Sequence, residues 1–133
     1  MALQRHFNKF VDGHYDEDEK IIINDRSLPY IAKAGNVIWV NFDNLCNDYR
    51  SQNDYLILCK RFNTILLSDV PQMLPEQSSA ARRFTWLVDI LYDQKVRLII
   101  SAAVSPDELY KEGIFIDEFT RTVSRLAEMQ GKI

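Results

Sequence analysis

Leu3, Phe7, Phe10 and Val11 recur at helical spacing, which predicts a short amphipathic helix over 2–11. Asp12-Gly13 breaks that pattern, and HYDEDEK (14–20) has the polar, acidic texture of a solvated connector. From Lys20 the apolar residues bunch into short runs. IIIN (21–24) and SLPYIA (27–32), separated by Asp25-Arg26, predict a hairpin. Pro29 assigns its second strand to an edge, because proline has no N–H to give a ladder. Ala34-Gly35-Asn36 is a second turn and VIWVNF (37–42) a third strand, so this opening reads as a small β meander.

Beyond it helix and strand alternate. Ser51 is placed to cap a helix over 52–62, with Asp54 three residues on as its capping-box partner. Tyr55, Leu58, Cys59 and Phe62 form one stripe facing a core. TILLSD (64–69) is a continuous apolar run, the texture of a strand covered on both faces. Pro71 and Pro75 bracket a loop, and Ser78 or Ser79 opens a helix to about Asp93 with the stripe Ala81, Phe84, Val88, Leu91. RLIISAA (97–103) is the next buried strand, so strand, helix and strand make a βαβ unit with parallel pairing. Ser105-Pro106-Asp107-Glu108 carries the signals of a helix start, with Gly113 as its stop. A last helix over 117–130 turns Phe119, Val123, Leu126 and Met129 inward. The predicted class is α/β: a small N-terminal β meander, then β-α-β units with a largely parallel sheet flanked by helices.

Composition narrows the function classes. At 133 residues with 47% hydrophobic side chains, the chain is one ordinary domain with material for a core. Sixteen basic against nineteen acidic residues give a net charge of −3, which offers nucleic acid no global attraction. No apolar run approaches the ~20 residues of a membrane span, and the opening MALQRHFNKF is too polar for a secretory signal. Cys46 and Cys59 are thirteen apart with no CxxC, and His6 and His14 belong to no ligand set, so no metal site is expected. Cys59 reads as a small core residue.

The glycines, at 13, 35, 113 and 131, are too scattered for GxxxxGK[ST] or GxGxxG, so the chain by itself has no phosphate-cradling loop. ILLSD resembles the acidic magnesium motif of nucleotide hydrolases, with Asp69 at a strand's carboxyl end, but Val70-Pro71 stands where a second acid belongs. Ser68 and Ser101 end strands without a histidine near in sequence, which argues against a nucleophilic hydrolase. The arginines say more. Arg82 and Arg83 sit one turn into a helix, where the dipole disfavours positive charge, and Arg121 and Arg125 form a like-charged i, i+4 pair. Local ion pairs explain them economically: Asp117 or Glu118 with Arg121, Glu128 with Arg125, and Asp69, Asp89 or a loop carboxylate with Arg82. The other explanation is that their guanidinium forks meet phosphate or a partner's acids.

The pieces F-D-x-L-C (42–46), R-S-Q-N-D-Y (50–55), S-D-V-P (68–71), A-R-R-F (81–84), L-I-I-S-A (98–102) and R-T-V-S-R-L-A-E-M-Q (121–130) follow one another in colinear order over about 20–130. Together they resemble the C-terminal region of the ZapE family, P-loop ATPases related to AAA+ proteins, with bacterial cell-division members and mitochondrial relatives. The resemblance implies that the phosphate loop, the magnesium motif and the first sensor lie in an upstream core. Residues 1–19 would then be the end of that upstream region, and 20–133 a C-terminal α/β domain.

It further implies ATP and Mg as cofactors of the parent protein, with none expected for this stretch alone, which would be inactive by itself. The implied partners are the upstream ATPase core and FtsZ or another division protein. The implied location is cytoplasmic and peripheral at the division site, or mitochondrial in a eukaryote. Arg121 and Arg125 become candidates for nucleotide sensing, and Arg50, Asp54, Asp69, Arg82, Arg83 and Ser101 for binding or docking. Leu3, Phe7 and Phe10 are expected to be left exposed and to favour self-association. The competing readings are a free-standing protein-binding α/β module and, least supported, a complete small enzyme.

Overall fold

The computed structural model describes residues 2–11 and 13–130. Its elements, in chain order, are α1 (Ala2–Phe10), β1 (Asp16–Glu17), β2 (Lys20–Ile23), β3 (Arg26–Pro29), β4 (Ala32–Ala34), β5 (Val37–Asn41), α2 (Phe42–Leu45), α3 (Gln52–Arg61), β6 (Thr64–Val70), α4 (Ser78–Gln94), β7 (Arg97–Ala102) and α5 (Ile116–Gln130). The fold is α/β, as the alternation predicts. Five strands form one sheet in the order β1-β4-β5-β6-β7, antiparallel through β5 and parallel from β5 to β7. The two parallel connections run through α2–α3 and through α4, because parallel neighbours need a crossover.

Alternation along each strand sends side chains to opposite faces, and the two faces have different covers. Ile38, Val40, Ile65, Leu67 and Leu98 meet the helices α3–α5, with Tyr55, Phe84, Leu91 and Phe119 at the centre of that core. Val37, Trp39, Leu66 and Ile99 on the other face meet α1 through Leu3 and Phe7. The fold is therefore three layers deep, a sheet between α1 and the larger helical layer.

Four sequence expectations change. The acidic stretch 14–20 contains a strand, since Asp16 and Glu17 pair with Lys33 and Ala32 at the sheet margin. The meander is interrupted: β2 and β3 form a separate two-stranded sheet, turning at Asn24-Asp25 (φ +53° and +66°) instead of Asp25-Arg26, while β4 begins the main sheet. The helix expected after Ser105 is one 3-10 turn, Pro106–Glu108. The Leu109 carbonyl accepts from Met73 N–H at 2.6 Å, and Tyr110 bridges to Met73, so the chain is drawn into the core before a second turn forms. Finally, Leu3 and Phe7 are buried against their own sheet and Phe10 is half-buried, so α1 does not leave these residues as an exposed face for self-association.

Candidate functional site

The residues singled out by sequence fall into three places. The first is a buried charge network. Ser51 caps α3, its Oγ accepting from Asp54 N–H, and the Asp54 carboxylate accepts in turn from the Ser51 hydroxyl at 3.1 Å. The same carboxylate, fully buried, accepts from Asn24 Nδ2 at 3.0 Å and from Arg26 Nη2 at 3.1 Å, both on the β2–β3 hairpin. Arg50 reaches it only to 4.0 Å and spends its other donors on the carbonyls of Asn44 and Ser27. Arg50 and Asp54 thus fasten the hairpin to the start of α3. Asp54 is committed internally, whereas Nη1 of Arg50 is buried without a hydrogen-bond partner.

The second place is the carboxyl end of the parallel strands, where open α/β sheets gather ligands. Asn41 Nδ2 donates to Asp69 Oδ2 at 2.9 Å, and Asp69 N–H donates to Ser101 Oγ at 3.2 Å. Asp69 takes a left-handed conformation (φ +61°) where the β6–β7 register shifts between Leu67 and Val70. The hydroxyl of Ser68 is buried there without a hydrogen-bond partner. Asp69 and Ser101 are brought together here. Among the described residues, however, no three His, Cys, Asp or Glu side chains group so as to hold a metal ion. Gly13, Gly35 and Gly113 occupy three separate turns. Among the described residues these three turns do not converge into one phosphate-cradling loop.

The third place is the groove between α4 and α5, about 290 Å3, lined by Gln52, Arg82, Trp86, Asp89, Phe115, Glu118 and Arg121 among others. The expected arginine pairings are redistributed here. Arg125 binds Asp89 across the helices and stacks over Tyr92, while Arg121 stands 3.7 Å from the same carboxylate. Glu128 accepts from the Tyr92 hydroxyl instead of pairing with Arg125. One acid on α4 thereby offsets the like-charge cost of the α5 pair. Arg83 lies outside this groove and donates weakly, at 3.4 Å, to the carbonyl of Cys46 at the end of α2.

Arg82 pairs with none of the expected carboxylates. Its guanidinium carbon lies 4.8 Å from the Trp86 ring centre and 4.9 Å from that of Phe115, a cation between two aromatic rings. Phe115 reaches this position from a left-handed backbone (φ +70°), unusual for a bulky residue. Trp86 lies at i+4 from Arg82 and was within reach of sequence reasoning. Phe115 carried no signal, because its placement depends on the turn at Gly113.

A larger cavity, about 990 Å3, opens at the opposite end of the strands, beside Asn36, Asn63, Lys95 and Arg97. None of the candidate binding or sensing residues lines it, whereas Arg82 and Arg121 line the α4–α5 groove. The thiols offer no chemistry: burial raises the pKa of Cys46, and that of half-buried Cys59 is pushed up to about 11.

A family model described as AFG1-like ATPase matches residues 1–133. The chain belongs to the AFG1-like ATPase family. Among relatives of this AFG1-like domain, the cell division protein ZapE of Escherichia coli (strain K12) is 40% identical over 120 residues, which is 90% of this chain and 32% of that protein. An uncharacterized protein of Schizosaccharomyces pombe is 31% identical over 161 residues, covering 97% of this chain and 35% of the relative. Lactation elevated protein 1 homolog B of Danio rerio is 30% identical over 140 residues, 81% of this chain and 28% of that protein. The chain thus spans about a third of the length of the curated relatives it matches. No solved structure matches it. No helix among the described residues is long and apolar enough to cross a membrane.

Proposed function

We propose that residues 20–133 form the C-terminal accessory domain of a ZapE-like cell-division ATPase, with 1–19 the end of the region before it. The domain supplies protein contacts or nucleotide sensing, and catalysis belongs to an upstream core that binds ATP and Mg. Its partners are that core and FtsZ or another division protein, on the cytoplasmic side of the division site. The observation that carries this reading is the 40% identity to ZapE across 90% of a chain in which no phosphate-binding loop can be drawn. Arg121 is the better of the two sensing candidates. It is 55% exposed and only loosely paired, whereas Arg125 is held by both Asp89 and Tyr92.

Calorimetric titration with ATP and magnesium tests the reading on this chain and on a longer protein carrying the upstream core. The chain alone is expected to bind nothing and the longer protein to bind. Binding by the chain alone would overturn the accessory role. In the longer protein, Arg121→Ala is expected to slow ATP turnover at least about tenfold, by loss of a charge-stabilising arginine. Unchanged turnover in Arg121→Ala withdraws its sensing role.

A further inference from the structure

Arg82 is exposed, and its guanidinium carbon lies 4.8 Å from the Trp86 ring centre and 4.9 Å from that of Phe115. Its N–H donors have no hydrogen-bond or ion-pair partner among the described residues. A guanidinium against two rings is restrained, so its fork meets an incoming anion with less entropy left to lose.

The segment leading to Phe115 is apolar. Phe115 follows Ile114, which is 63% exposed, and Leu74, 52% exposed, precedes Pro75. These two segments abut, since a Cβ at Gly113 would stand 3.2 Å from Pro75 Cα. They are also fixed: the Tyr110 hydroxyl donates to the Ile114 carbonyl at 2.5 Å, and Leu74 N–H donates to Gln77 Oε1 at 2.8 Å. Two large exposed aliphatic side chains on adjoining segments, one of which also carries the Phe115 that packs against Arg82, make a surface suited to contact.

We propose that this surface docks a protein segment carrying an acidic residue next to an apolar one, the carboxylate on Arg82 and the apolar side chain on Leu74 and Ile114. A phosphate is the weaker match. Asp89 and Glu118 line the same groove as Arg82 and Arg121, so recognition draws on the open fork of Arg82 and not on net charge, and Leu74 and Ile114 have nothing to offer a phosphate. The inference rests on the protein-contact half of the proposed function and gives that contact a place and a chemistry.

The test uses the full-length protein in the cells that make it, with Ile114→p-benzoylphenylalanine as a photo-crosslinker and sequencing of the captured peptide. The expected capture is a protein segment with Asp or Glu within four residues of the crosslinked position. Its yield should fall at least fivefold in Arg82→Gln, which removes the charge and keeps a polar side chain, and in Arg82→Glu. Exchanging the captured segment's acid for arginine should restore crosslinking to Arg82→Glu, which a merely unfolded variant would not permit. No crosslink, a segment without an acid, a yield indifferent to Arg82, or displacement by millimolar inorganic phosphate would each overturn the proposal. The accessory-domain reading fails separately, when the isolated chain binds ATP.

Discussion

A carboxylate without solvent exposure has to be met by positive charge, and Asp54 draws it from two parts of the chain. Arg26 approaches from the hairpin and Arg50 from the loop before α3. Removing the acid would leave Arg50, itself 5% exposed, without a counter-charge. Asp54→Ala is therefore expected to cost about 3–5 kcal/mol, the usual result of breaking a buried pair from one side. Arg26→Ala, at a side chain 43% exposed, should cost about 1 kcal/mol. Urea unfolding checks this through the midpoint at unchanged slope. A loss under about 1 kcal/mol for Asp54→Ala would mean that apolar contacts alone hold the hairpin. Only half of this arrangement was legible in the sequence. Ser51 and Asp54 are three residues apart, so the cap could be read, whereas Arg26 lies 28 residues upstream and follows no local spacing. The same limit separated Arg121 and Arg125 from Asp89. Intrahelical partners can be counted along one helix, but a shared acid on a neighbouring helix cannot.

Helices and strands with a continuous apolar stripe were legible to within a residue or two, including α3, β6, α4, β7 and α5. Elements whose ends depend on tertiary contacts were not. Ser105-Pro106-Asp107-Glu108 has good helix-starting chemistry, yet Leu109 and Tyr110 are buried and Met73 takes the Leu109 carbonyl. Burial of these two residues outweighs the propensity of the four before them. Gly113 then reverses the chain at φ +134°, with the Tyr110 hydroxyl 2.2 Å from where a Cβ would stand. Alanine there meets both a disfavoured backbone and an occupied space. Gly113→Ala is expected to lose about 2–4 kcal/mol, from strain of about 1–3 kcal/mol together with overpacking. Thermal unfolding measures the loss. Because the same turn sets Phe115 over Arg82, the Trp86 fluorescence of the folded variant should also change. A variant as stable as wild type would show that the 109–115 loop can shift freely.

At the scale of the whole molecule, α1 decides whether the sheet is a two-layer or a three-layer structure. The sequence made it an amphipathic helix awaiting a partner, because Leu3, Phe7 and Phe10 share a face and no covering surface can be identified from a linear pattern. The partner is the chain's own sheet. Phe7 is fully buried, with its ring edge-on to Tyr15 at 5.0 Å and beside Trp39 at 6.0 Å, and Leu66 and Ile99 lie in the same cluster. A helix of nine residues is too short to be stable by itself in water. Its order therefore comes from this contact, and the contact's loss should be felt by the sheet. Phe7→Ala is expected to cost about 3–5 kcal/mol, a large part of the ~5–15 kcal/mol of an ordinary domain. Urea unfolding and sedimentation of the same samples separate the two roles open to the helix. If α1 is a layer of the fold, the variant unfolds at lower urea and its sedimentation, while folded, depends on concentration no less than that of the wild type. If stability held within about 1 kcal/mol while association disappeared, α1 would be an association device whose place on the sheet is incidental. Burial of Leu3, Phe7, Trp39 and Leu66 in one cluster favours the first outcome, since exposing it would uncover the centre of the sheet's second face.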